Sequence, residues 1–63
     1  QDPEAQSILG NTLQDLSRLN EAEASFRQAI LLKSNFFEAY YNLGNTLRDR
    51  FVSSQEKGLS DEF

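Results

Sequence analysis

The side chains in this chain that can act as nucleophiles or acids and bases lack the partners such chemistry needs. Serines such as Ser7, Ser17, Ser25 and Ser34 need a base to activate them, and the 63 residues contain no histidine and no cysteine. No glycine loop of the kind that cradles phosphates is present. Asp15 and Asp49 are the carboxylates one would pair for acid–base work, but they fall on helical positions expected to be solvated, and Glu21 and Glu23 are explained as helix-start residues. No catalytic residue and no cofactor is expected. A His- or Cys-ligated metal is excluded, and no metal site is expected.

Bulk properties narrow the field further. Ten acidic against six basic residues give a formal charge of −4, the opposite of a footprint for phosphate backbones, so nucleic acid is not an expected partner. No apolar run approaches the roughly 20 residues that span a bilayer. The start, Gln1-Asp2-Pro3, has neither region of a signal peptide. With no initiator methionine, an excerpt or a processed piece is expected, and the compartment stays open with the cytoplasm slightly favoured. A core this small rarely supplies more than about 3–5 kcal/mol, and no disulfide is available to help. Packing against another chain or a neighbouring unit is the remaining source of stability.

The elements that position the polar residues are marked by a recurrence. Glu4 to Asp15 reads EAQSILGNTLQD and Glu38 to Asp49 reads EAYYNLGNTLRD; eight of the twelve pairs are identical, and Gly10 and Gly44 stand 34 residues apart (44 − 10). A fixed period of that length marks a repeat that buries its apolar face against its neighbours. Asp2-Pro3-Glu4 reads as a helix start, and Ala5, Leu9, Leu13 and Leu16 make a stripe with Ile8 and Thr12 at its edges. A first helix is predicted from Pro3 to about Leu16. Gly10 inside it costs about 1 kcal/mol relative to Ala, so either another backbone comes close there or the glycine is merely tolerated, and its return at Gly44 favours close approach. After a turn at Ser17 to Leu19, Asn20 and Glu23 form a capping-box pattern. Ala22, Phe26, Ala29 and Ile30 then give a second helix from about Glu21 to Lys33, antiparallel to the first because the link is short.

Asn35 and Glu38 repeat the cap signal. A third helix carries Tyr40, Leu43, Gly44, Leu47 and Phe51 on one face, with core packing expected for Tyr40 and Phe51. It starts at about Phe36 or Phe37 and reaches at least Arg50. Where the first unit turned, the second has Phe51-Val52-Ser53-Ser54 with no Gly, Pro or Asn, so this helix is expected to continue to about Gln55. Gly58 is the expected stop, with residues 56–63 a frayed tail. The predicted architecture is all-α, one module over 1–63: an antiparallel helix-turn-helix unit over 3–33 plus one additional helix over 36–55, a fragment of an α-solenoid.

These residues resemble the tetratricopeptide repeat (TPR), a 34-residue helix-turn-helix family. With the repeat starting at Pro3, the pattern is met by Leu9-Gly10, Leu13, Ala22, Phe26 and Ala29, and in the second unit, from Phe37, by Tyr40, Leu43-Gly44 and Leu47. Gln6, Ser17 and Ser34 replace the family's bulky residue, turn glycine and proline. After Asp49 the match is lost: Glu56 and Ser60 stand where an alanine and an aromatic belong. The resemblance therefore covers one and a half repeats and implies a protein–protein interaction module or scaffold. The alternative is a purely structural or designed minimal module that only folds and oligomerises.

The family's concave positions, carried over, are Glu4, Ser7, Asn11, Gln14 and Asp15, then Glu38, Tyr41, Asn45, Arg48 and Asp49. The resemblance implies peptide-backbone hydrogen bonds from Asn11 and Asn45, an apolar contact from Tyr41 and a carboxylate contact from Arg48. Each taken singly is equally well read as an ordinary polar residue on a solvated helix. Relatives that clamp acidic chaperone tails need two asparagines, matched by Asn11 and Asn42, and lysines that are missing, Ser7 standing at the first. That clamp is incomplete, and chaperone tails are disfavoured. The third helix has no partner, so Phe37, Leu43, Gly44, Leu47 and Phe51 are the expected self-association face, with Phe36 beside Phe37 also inclined to an interface. Expected partners are thus a protein or peptide, and a second copy or neighbouring repeats.

Overall fold

The computed structural model describes residues 2–62, with side chains described through residue 54. Three helices follow in order: α1 (Pro3–Asp15), α2 (Leu19–Leu32) and α3 (Phe37–Glu62). α1 starts as its sequence dictates: Asp2 is the N-cap and its Oδ1 accepts from the Glu4 N–H at 3.0 Å, Pro3 occupies the first turn, and Glu4 faces the positive end of the dipole. It ends in a paired-bond turn. The Ser17 N–H donates to the Gln14 carbonyl at 2.9 Å and the Arg18 N–H to the Leu13 carbonyl at 2.8 Å, with Ser17 left-handed at φ 63°. Serine thus occupies a conformation that glycine adopts more cheaply.

The capping box expected at Asn20 and Glu23 does not form. α2 begins at Leu19, its N-cap Arg18 makes no side-chain capping bond, and both predicted capping side chains are engaged elsewhere. Asn20 Oδ1 accepts from Arg50 Nη1 at 2.8 Å, and Glu23 pairs with Arg27 at 2.9 Å and Arg50 at 2.5 Å. Arg18 instead grips Glu21 through two bonds of 2.6 and 2.9 Å. The cap expected at Asn35 does not open the helix either. α3 opens at Phe37, and the Phe36 carbonyl takes the Ala39 and Tyr40 N–H groups at 3.1 and 3.3 Å.

The Arg50 contacts also show the topology. They bring the middle of α3 beside the start of α2, while Gln14 near the end of α1 meets Asp49. α3 is therefore antiparallel to α2 and parallel to α1, as a repeated first helix must be. The helix passes Phe51-Val52-Ser53-Ser54 without a turn. The expected end near Gln55 and stop at Gly58 are overturned: the helical backbone runs through Gly58 to Glu62. A glycine inside a helix costs about 1 kcal/mol without breaking it, so the tail expected to fray is helical as far as Glu62.

The core is small and centred on α2. Ala22, Phe26 and Ala29 are fully buried together with Ala39 and Thr46 of α3, Phe36 caps one end, and Ile30 packs beside it. Phe26 is the largest fully buried side chain, worth about 1.5–3 kcal/mol of burial. Thr46 returns its hydroxyl to the Asn42 carbonyl at 3.0 Å, so its burial leaves no orphan polar group. Phe36 corrects its predicted place at an interface: it is buried, with Lys33 Nζ 5.0 Å from its ring centroid.

Two further expectations are overturned. α1 does not bury its predicted stripe; the buried residues are Ser7 and Gly10, whereas Ala5 and Leu16 are exposed and Leu9 is nearly half exposed. Phe51 likewise stands largely in solvent and Tyr40 is nearly half exposed, donating its hydroxyl to the Ser34 carbonyl at 3.1 Å. Both have one physical cause. A helix in this arrangement has two flanks to cover, and the chain supplies a neighbour for only one of them.

Candidate partner-binding surfaces

Two surfaces follow from this arrangement. The first is the groove between α1 and α3. At one end Gln14 Nε2 donates to Asp49 Oδ2 at 3.2 Å, the side-chain bond that ties the two repeated helices together. Beside it opens a cleft of about 560 Å³ lined by Gln14, Ser17, Leu19, Arg48, Asp49 and Val52. Arg48 is exposed, and its guanidinium lies 3.7 Å from Asp49, a loose contact between adjacent residues. At the other end a cleft of about 170 Å³ is lined by Glu4, Ser7, Ile8, Asn11, Phe36 and Glu38.

Among the predicted concave residues, Asn11, Asp15, Tyr41 and Arg48 are exposed, and Gln14, Asn45 and Asp49 are half-buried. Ser7 departs from the expectation of an open contact residue. It is only 5% exposed, set into the floor of the smaller cleft. Sequence reasoning missed Val52, which follows Arg48 by one helical turn and extends the groove beyond the repeat; the i, i+4 spacing was the available signal. It also missed Arg50, whose two contacts hold α3 against α2.

The second surface is the uncovered face of α3. Phe37, Tyr40, Gly44, Leu47 and Phe51 follow one another at spacings of 3, 4, 3 and 4. Phe37 and Phe51 are 75% and 63% exposed. Leu43 lies to one side, half-buried, lining an apolar hollow of about 290 Å³ with Arg27, Ile30, Leu31 and Tyr40. The glycines report the asymmetry most directly. A Cβ on Gly10 would lie 2.7–2.8 Å from three ring atoms of Phe26, whereas one on Gly44 would meet nothing within 4 Å.

The flanks of the two helices are complementary in what they lack. Ala39 and Thr46 of α3 are fully buried against the preceding hairpin, and their counterparts in α1, Ala5 and Thr12, are exposed. Conversely, Gly10 is covered and Gly44 is open. Among the described residues no group of three or more metal-ligating side chains gathers, and no helix is long and apolar enough to cross a membrane. What the surfaces offer is shape, apolar area and hydrogen-bonding groups.

A family model described as TPR repeat matches residues 10–48, which is 39 of the 63 residues. No curated protein and no solved structure matches the chain.

Proposed function

The chain belongs to the TPR-repeat family, whose repeats mediate protein–protein interaction and scaffolding, and from that premise we propose that its open α3 face associates with a second copy of the same chain. The observation that carries this reading is the pair of glycines. Gly10 receives the Phe26 ring, whereas Gly44, in the same word LGNTL, has no atom within 4 Å of where its Cβ would be. The 3-4-3-4 spacing of Phe37, Tyr40, Gly44, Leu47 and Phe51 is the seam of a helix that pairs with another helix. Gly44 lets the axes come close, and the exposed rings of Phe37 and Phe51 supply apolar area that water solvates poorly. Sedimentation at micromolar concentration tests it: a dimer or higher oligomer is expected, and a monomer with a cooperative melt would sink it.

A second reading, favoured by the Gln14–Asp49 bond and the clefts at both ends of the groove, assigns the α1–α3 surface to a peptide. Asn11 lines the smaller cleft, and the repeat assigns Asn45 and Tyr41 to the same contact face, with amide groups that match a peptide backbone and a Tyr41 ring that is 71% exposed. A peptide screen followed by nuclear magnetic resonance on labelled protein separates this reading from a purely structural module. The structural alternative predicts no saturable binding that depends on Asn11, Asn45 or Tyr41.

A further inference from the structure

We propose that the smaller cleft of the α1–α3 groove is a seat for a lysine or arginine side chain of the bound peptide. The proposal rests on the peptide reading above and names the partner's chemistry: an extended, positively charged protein segment. Four observations converge on it. Glu4 and Glu38, from the first turns of two different helices, both line this cleft, and no cation is among its lining residues. Its remaining walls include Ile8, 65% exposed, and the Phe36 ring, a surface for the aliphatic stem of a long basic side chain.

Ser7 supplies the third observation. It is 5% exposed and lines the cleft, and among the described residues its hydroxyl has no hydrogen-bond partner. Because no fully buried side-chain polar atom is left unsatisfied, the Ser7 oxygen must keep an accessible edge, and the cleft is the opening it borders. Its oxygen is an acceptor in a cleft that Glu4 and Glu38 also line. The fourth observation is the distribution of charge. Of the ten groove positions, Glu4, Asp15, Glu38 and Asp49 are acidic and only Arg48 is basic. Arg18, Arg27 and Arg50 are held by Glu21 and Glu23. Lys33, whose Nζ is 5.0 Å from the centroid of the cleft-lining Phe36 ring, puts one cation near this end, set against the two carboxylates. A cationic segment entering the groove meets an excess of carboxylates, and its basic side chain is drawn to the pair Glu4 and Glu38, away from Arg48.

The probes are nine-residue peptides, N-acetylated and C-amidated, carrying lysine at two positions or norleucine or glutamate at those positions. Binding is followed by the amide shifts of labelled protein at about 150 mM salt, where diffuse attraction is screened beyond roughly 8 Å. The lysine peptides are expected to bind saturably, at least about tenfold more tightly than the norleucine peptides, with shifts at Ser7, Asn11 and Glu38. Glu4→Gln with Glu38→Gln should remove that advantage, while Glu21→Gln on the far side should not. Far-UV circular dichroism checks that the double variant still folds, and Glu38→Lys should move the preference to the glutamate peptides.

Equal binding of lysine and norleucine peptides overturns the cationic seat and leaves the peptide groove standing. Lysine binding untouched by the double substitution overturns it too, by showing general attraction to an acidic protein. If no peptide of any class shifts the α1 or α3 amides, the groove reading falls with it.

Discussion

Gly10 lies under the ring of Phe26 so closely that a Cβ added to it would sit 2.7 Å from Cε1, and Phe26 is itself fully buried. The ring cannot swing aside without opening the centre of the core. Gly10→Ala therefore sets an over-packing cost of about 1–3 kcal/mol against roughly 1 kcal/mol of helix propensity gained. A net loss of stability is expected, read as a lower denaturation midpoint in urea.

Gly44→Ala gives the opposite expectation within one chain. Nothing approaches the new methyl group, so the monomer should gain about 0.8–1 kcal/mol from propensity alone. If the α3 face pairs with a second copy, the same methyl group holds two helices apart and the dimer weakens. Measured stability that rises at low concentration while the dissociation constant also rises is the outcome that supports α3 pairing. A dissociation constant unchanged by the methyl group places any self-association elsewhere.

Ser17 is a left-handed residue at φ 63° in the turn that ends α1. For a non-glycine residue this region costs about 1–2 kcal/mol, partly offset by the greater freedom that glycine has in the unfolded chain. Ser17→Gly is expected to raise stability by up to about 1 kcal/mol. A chain this small would show that as a melting temperature several degrees higher.

Arg50 is the polar clasp between α3 and the first turns of α2, through Asn20 and Glu23. Its side chain is 45% exposed, so solvent screens the pair, and Arg50→Met is expected to cost no more than about 1 kcal/mol. The effect should be local. Hydrogen exchange should speed up in α3 more than in the α1–α2 hairpin, and the difference from the parent should shrink in about 1 M salt. A uniform rise across all three helices would mean that α3 is not a separable unit.

The helices themselves were legible because local rules govern them. Asp2, Pro3 and Glu4 build a helix start from side chains adjacent to the backbone groups they satisfy, and the absence of a turn signal after Phe51 kept α3 continuous. The capping box at Asn20 failed because capping has competitors that are remote in sequence: Arg50, thirty residues away, holds Asn20. The candidate groove residues came position by position from the repeat, and of these Glu4, Ser7, Asn11, Gln14, Glu38, Arg48 and Asp49 line the two clefts. The burial of Ser7 and of Phe36 was not legible, since it depends on how α1, α2 and α3 close over one another.

The sequence by itself determined the period of 34, the three helices, and the family to which they belong. Local propensity and spacing carry that information, and it is the same in both copies of LGNTL. Tertiary structure alone decided that Gly10 is filled and Gly44 open, and that Ala39 and Thr46 are buried while Ala5 and Thr12 face water. Identical residues meet different fates because burial belongs to the neighbour as much as to the residue, and each copy of the word has a neighbour on a different flank.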